Sequence, residues 1–527
     1  MNYASFEFLL FSAAVILLYY IVGKKLQKYV LLLANLAFYL IAGAKYLPFI
    51  AISILATFFC AKKMGSIWKK EAEELKNCAD SAEKKEVRAA AKASAGRYLH
   101  LAFFIVIGML AVCKYSRFVA ENVNRVLGAF SLRQIPMFKM VLPIGISFYT
   151  FMALSYLLDV YWKRYEAEDS LVLYAVYQSY FPHVVQGPID RYDKFSAQMR
   201  DGVALEEKNL IFGAELAIWG LFKKLVIADR LGLFVDTVYN GWESYTGVIF
   251  AIATALYSIQ IYADFSGCID IVSGISEMMG IKLTKNFNHP YFSKSMPEFW
   301  RRWHMSLMEW FKDYIFYPVS TSQLVKNVKK KCKLKEKKRR GDLFASCFPA
   351  FVVWSISGLW HGAQWTFVVW GMYHAALIIL GNIFGDGLDR LTVKLHIDPE
   401  AASWKLWQML RTFILCSIGR VFFRAESLKA AFGIFRRSLT DFNLAGVWGA
   451  KLYTYGLDKS NFMVAIISML VLLIVDVMQE KMSVRETIAK QNTLFRWLLV
   501  YAAVAVILIF GIYGPGYDAS AFIYEKF

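Results

Sequence analysis

"WLLVYAAVAVILIFGIYG", residues 497–514, runs for eighteen residues without a charge or a proline. As a helix it would rise about 27 Å, close to the thickness of a hydrocarbon core, which roughly 20 apolar residues cross. "FEFLLFSAAVILLYYIV" (6–22) has the same character apart from Glu7. Working inward from these two ends, comparable runs recur about ten or eleven times. The 527-residue chain is 57% hydrophobic and 17% aromatic, with a mean hydropathy of +0.41. A soluble chain of this size would divide into domains with polar surfaces. The pattern predicts instead an all-α, polytopic integral membrane protein, with residues 1–527 forming a single transmembrane domain.

Charge placement predicts the topology. The first span has no basic segment before it and no small-residue cleavage pattern after it, so it is expected to stay as a span. Basic residues follow it in "GKKLQK" (23–28), which by the positive-inside rule places the N-terminus outside the cytoplasm. Two further spans, 29–44 and 46–61, lead to a polar, Ala-rich, helix-prone segment at 61–97, expected to be a cytoplasmic loop. The densest basic run, "KNVKKKCKLKEKKRRGD" (326–342), marks a second such loop over 323–342. The last span then exits outward and leaves a tail, 515–527, on the same face as the N-terminus. This topology accounts for the net charge of +19 without a nucleic-acid partner. A basic rim of this kind also attracts anionic membrane lipid and polyanionic cofactors. Seven scattered cysteines without a CxxC pair indicate neither a disulfide framework nor a metal site.

Four stretches depart from plain membrane helix: "SYFPHVVQGPIDRY" (179–192), "YADFSGCIDIVSGI" (262–275), "NFNHPYFSKSMPEFWRRWHMSLMEWFKDYIFYP" (286–318) and "SGLWHGAQWTFVVWG" (357–371). Polar groups at membrane depth must be paired or line a cavity. The expectation is one enclosed cavity lined from these stretches, with Gln186, Asp264, Ser266, Asn288, Trp300, Trp303 and Trp360 as candidates. Asp264 and Asp270 are expected to act as structural hydrogen-bond partners near it. In the third stretch aromatic residues recur at three- and four-residue steps from Trp300 to Tyr314, which predicts an amphipathic helix capped by Ser295 and opened by Pro297. Arg301, Arg302, Lys312 and Asp313 interrupt it too often for a lipid-exposed span, so it is interfacial or re-entrant. His304 on that helix is either incidental to a membrane anchor or part of a binding site.

His361 lies between Trp360 and Gly362 inside a span, a costly place for an ionisable ring, which points to function. Gly362 is expected to let a substrate approach the ring, with Trp360 and Trp365 walling the site. His374, read as lying further along the same helical run, is the weaker candidate.

"DFSGCIDI", "NFNHPYFSKSMPEFWRRWHMSL" and "SGLWHGAQWTFVVWGMYH", in this order, resemble the membrane-bound O-acyltransferase family, in its bacterial alginate O-acetylation branch. A sister branch serves D-alanylation of lipoteichoic acid. The resemblance is strong over 140–380, and the closing "AFIYEKF" (521–527) is similar to the aromatic tail of many bacterial members. It implies tilted spans around a central tunnel in the bacterial cytoplasmic membrane, with His361 catalytic and His304 lining the tunnel. It also implies that Tyr524 is an acyl-carrier candidate, serving an extracytoplasmic acyltransferase- or esterase-like partner protein and a polysaccharide acceptor. On its residues alone, the tail equally fits an interfacial aromatic belt. The run 326–340 is richer in lysine than the resemblance leads one to expect.

Acyl transfer from a thioester to a hydroxyl needs a base, donors for the oxyanion and exclusion of water. A neutral imidazole in a dry site suits the first task. His304 and nearby amides are the candidate oxyanion donors. The donor substrate expected is acyl-CoA, acetyl-CoA first, or the thioester of an acyl carrier protein, with no bound cofactor. The alternatives are D-alanyl transfer to teichoic acid from a carrier protein, or a non-catalytic glycolipid transporter or flippase. Transporters often carry internal repeats, and none is visible between the two halves.

Overall fold

The computed structural model describes residues 2–137, 140–245, 247–334, 337–441, 444 and 447–513. Among them there is no strand, only an isolated bridge between Phe287 and Trp303. Eight helical segments are long and apolar enough to cross a membrane, and the helices Phe6–Ile21 and Ile146–Tyr161 are shorter and apolar. The segment Lys24–Asn77 contains two helices, Gln27–Gly43 and Leu47–Asn77. The all-α, multi-pass reading of the sequence holds. Burial follows composition: the apolar window of Thr493–Phe510 is only 6% buried, whereas that of Val248–Met278, which carries Asp264, Ser266 and Asp270, is 67% buried. Plain Leu/Ile/Ala helix is left for lipid, and the helix with polar side chains is covered by protein, as their solvation demands.

The chain forms two compact units, residues 3–214 with 272–284, and residues 215–271 with 285–513. In the first, buried polar side chains tie the helices together. The Asn35 amide donates to Ser179 Oγ at 3.1 Å and its Oδ1 accepts from Phe181 N at 2.9 Å; Gln178 donates to Ser53 Oγ at 2.7 Å. Segment 61–97 is helical at both ends: Leu47–Asn77 and Ser81–Leu110 extend beyond their apolar parts and meet in a turn where Asp80 caps Ala82 and Glu83. Alanine and alternating charge favour that continuation. The basic run likewise begins as a helix, Gln323–Leu334, with Val325 buried and most of its lysines exposed.

The second unit is built around aromatic side chains, among them Phe299, Trp300, Trp303, Trp354, Trp370 and Phe423. Here the stretch 286–318 differs from the single amphipathic helix its periodicity predicts. The cap is as expected, with Ser295 Oγ accepting from Glu298 N and Pro297 in the first turn. The helix then ends at Arg302, and a new one runs from Met305 to Phe311. Between them His304 adopts a left-handed conformation, φ 48°. A clasp from 286–288 causes the break: Asn288 N donates to Arg302 O and Met305 N to Asn286 O, each at 2.9 Å. These bonds replace the intrahelical ones that a continuous helix would make across 303–304.

Candidate active site

Two glycines bring the histidines of "SGLWHGAQWTFVVWGMYH" together. The helix Lys338–His361 ends on His361, and after a short turn Trp365–Lys394 runs back beside it. A Cβ on Gly358 would lie 2.6 Å from Phe367 O, and one on Gly371 would lie 2.5 Å from Trp354 O. Only residues without a side chain allow backbones so close. His361 and His374 therefore stand on facing helices, not on one helical run, and line one cavity.

His304, Trp300, Trp303, Trp370, Phe423 and Arg420 also line it. The cavity has about 30 Å³ of room, enough to hold a water molecule. Rings crowd His361: Trp360 at 4.7 Å, Trp370 at 4.8 Å and Phe423 at 5.2 Å between centroids. His374 has Trp300 and Trp370 at 4.9 Å and Trp354 at 5.2 Å. Such walls exclude bulk water and strengthen any electrostatic interaction inside.

His304 has a defined tautomer. Its Nδ1 lies 3.1 Å from Asn286 Oδ1, which also accepts from Ser306 N at 3.1 Å and Ser306 Oγ at 2.9 Å. An oxygen that accepts a backbone N–H is the acceptor for the imidazole as well, so the hydrogen-bond network assigns the proton to Nδ1 and leaves Nε2 basic. His304 lies outside the spanning helices, and burial pushes its pKa down to about 3, so the ring is neutral at pH 7. Phe265 meets it edge-on at 4.8 Å.

The remaining sequence candidates differ in their relation to the cavity. Trp360 contacts both His361 and His304, at 4.7 and 6.1 Å between centroids, but Trp365 is 47% exposed and walls nothing. A Cβ on Gly362 would lie 2.3 Å from the Phe367 ring, so this glycine makes room for Phe367 and not for a substrate. Asn288 is spent on its backbone bond to Arg302 and on Lys285 Nζ, 2.8 Å from its Oδ1; Asn286, two residues earlier, is the one that holds His304. Asp264 and Ser266 engage buried lysines: Lys224 Nζ is 2.6 Å from Asp264, and Lys223 Nζ is 2.9 Å from Ser266 Oγ and 2.7 Å from Asp270. Gln186 is buried in the first unit, its side-chain amide without a hydrogen-bond partner among the described residues. Tyr524 lies outside the described residues.

Arg420 is not among the residues expected from the sequence, although an arginine within the apolar "FILCSIGRVFFR" (413–424) carries the signal of a buried membrane charge. The same holds for Lys223 and Lys224 in "WGLFKKLVIADR" (219–230).

Comparison with known proteins is consistent with this architecture. Residues 168–332 match the model of MBOAT, the membrane-bound O-acyltransferase family. The chain is 29% identical to the probable alginate O-acetylase AlgI of Pseudomonas aeruginosa, over 83% of this chain and 76% of that protein. It is 31% identical to the corresponding protein of Azotobacter vinelandii, over 68% of this chain and 66% of the relative. It is also 27% identical to a peptidoglycan O-acetyltransferase of Helicobacter pylori, over 82% and 76% respectively. A matched segment that contains His304, together with likeness through most of a multi-pass chain, places the protein in the membrane-bound O-acyltransferase family, as an O-acyltransferase.

Proposed function

We propose that this protein takes a short acyl group, acetyl first, from a thioester donor at the cytoplasmic face and passes it outward for O-acylation of an exported cell-surface polysaccharide. The observation that carries this reading is His361, set at a helix end in an aromatic-walled cavity that it shares with His304 and His374. His361 acts as general base, taking the proton of the acceptor hydroxyl as its oxygen attacks the thioester carbonyl, and returns it to the departing thiolate. The names of the relatives, which act on alginate and peptidoglycan, support a glycan acceptor.

The rest of the reading follows from charge. The donor is acetyl-CoA or an acyl-carrier thioester, and the exposed lysines of Gln323–Leu334 give its acidic groups a docking surface. The setting is the bacterial cytoplasmic membrane with both termini outside. There Tyr524 accepts the acyl group, and a separate extracytoplasmic acyltransferase- or esterase-like protein moves it to the polysaccharide.

Purified protein in proteoliposomes, supplied with labelled acetyl-CoA, should transfer label to its own tail or to an added acceptor. His361→Ala should abolish transfer, and Tyr524→Phe should remove label from the tail only. Label taken from a D-alanyl carrier protein but not from acetyl-CoA would replace acetyl by D-alanyl. No transfer from any thioester would overturn the reading.

A further inference from the structure

Arg420 is a buried cation that neither membrane topology nor ion pairing explains. It stands in Ala402–Arg424, one of the candidate spans, and is 5% exposed. Among the described residues no carboxylate lies within ion-pair distance of it, and its Nη1 is buried without a hydrogen-bond partner. Its guanidinium is packed against rings instead: Trp303 at 4.9 Å, Tyr291 at 5.3 Å and Phe299 at 5.7 Å from their centroids. Arg424, one turn further along, has Asp236 and Asn240 as partners. An unpaired buried charge is costly, and cation–π contacts offset only part of that cost.

The location gives the charge a purpose. Arg420 borders the same cavity as His304, His361 and His374. Gly419 beside it admits the His374 ring, since a Cβ there would lie 2.9 Å from His374 Nε2. The "Gly-Arg" pair thus seats an imidazole against the backbone next to the guanidinium.

We propose that Arg420 is a further catalytic residue, the one that receives the negative charge developing on the acyl carbonyl oxygen. The inference rests on the acyl-transfer reading above. As the acceptor oxygen bonds to the carbonyl carbon, its proton moves to His361 and the carbonyl π pair moves onto oxygen, where the guanidinium donates hydrogen bonds to it. The pair then returns, the carbon–sulfur bond breaks, and the thiolate leaves with the proton from the imidazolium. Nothing is oxidised or reduced, and Arg420 ends as it began. A planar, permanently charged fork in a water-poor site provides such stabilisation without reorganising. The rival role for a buried arginine, gripping a phosphate of the donor, is disfavoured by place: Arg420 borders the cavity that holds His361, where the carbonyl would react, and the rings of Trp303, Tyr291 and Phe299 cover its guanidinium.

The test compares wild type, Arg420→Met and Arg420→Lys, each full length in proteoliposomes with labelled acetyl-CoA, together with their thermal midpoints. Arg420→Met should lower kcat about 10²–10³-fold, with the donor KM within about twofold and the thermal midpoint close to wild type. Arg420→Lys should recover part of the loss, and millimolar guanidinium should raise the rate of Arg420→Met but not of wild type. Wild-type turnover in Arg420→Met overturns the proposal, and so does a raised donor KM at unchanged kcat, which would make Arg420 a phosphate anchor. A lowered midpoint in both variants without rescue by lysine or guanidinium would make it a structural pin, and overturns the proposal too. A wild type inactive with acetyl-CoA and with every carrier-protein thioester overturns the acyl-transfer reading itself, which keeps the two failures distinct.

Discussion

Lys224 and Arg420 are both cations buried in the second unit, and their surroundings are opposite. Lys224 Nζ sits 2.6 Å from Asp264 and 2.8 Å from Asp229, and its neighbour Lys223 is 2.7 Å from Asp270. Both lysines lie on the π-helical turn Phe222–Ala228, and Asp264 and Asp270 lie on Val248–Met278. Arg420 has aromatic faces and a cavity. Where each charge meets its opposite, the cluster locks two segments together. Arg420 is held by rings and borders a cavity that three imidazoles also line. Buried polarity in this protein thus has two settings, an ion-paired cluster and an aromatic-walled cavity, and the proposed chemistry uses the second.

The largest effect expected is at the aromatic-walled site. His361→Ala should cost about 10²–10⁴-fold in turnover while leaving yield and thermal midpoint near wild type. A comparable loss of midpoint would erase the contrast, because His361 would then be holding the fold. Lys224→Met should behave the other way. Leaving Asp264 and Asp229 buried without their cation should cost about 3–5 kcal/mol, seen as a lower midpoint and poor yield, with the surviving protein near normal in specific activity. Full yield with lost turnover would move the lysine cluster into the chemistry.

Asn286→Ala sharpens the boundary between the two settings, since Asn286 is a structural side chain serving a cavity residue. Losing its bond to His304 frees the ring to change tautomer, and activity should fall about tenfold, the equivalent of one buried hydrogen bond; an unchanged rate would show that His304 needs no orientation. The smallest effect lies on the surface. Changing Lys326, Lys330 and Lys333 to Gln should raise the donor KM about threefold at low salt, and the difference should vanish at high salt, where exposed charges are screened. A salt-independent KM would leave membrane topology as the only task of that helix.

Much of this organisation was legible in the residues. Spanning helices follow from runs of apolar side chains, and the Ser295 cap from its own neighbours. His361 and His304, with Trp300 and Trp303, stood out because polar or bulky amphipathic groups within apolar stretches need an enclosed setting. Of two asparagines two residues apart, Asn288 bonds Arg302 and Lys285 while Asn286 holds His304. Choosing Asn286 required knowing which carbonyl oxygen faces His304, and nothing in the stretch itself decides that.

The sequence by itself determined what each segment could tolerate: lipid, water, or burial with a partner. Solvation belongs to individual side chains, and capping to residues within one turn, so both can be read locally. Only the tertiary structure decided which buried groups meet. The helix breaks at His304 because residues 286–288 capture its backbone, and His374 joins His361 because Gly358 and Gly371 let two backbones touch. Arg420 arrives from a helix that begins forty-one residues after His361. The lysines find their carboxylates some forty residues further along the chain, except for Asp229 close by. Each of these is a contact between distant faces, set by how closely backbones approach, and no local period or composition records it.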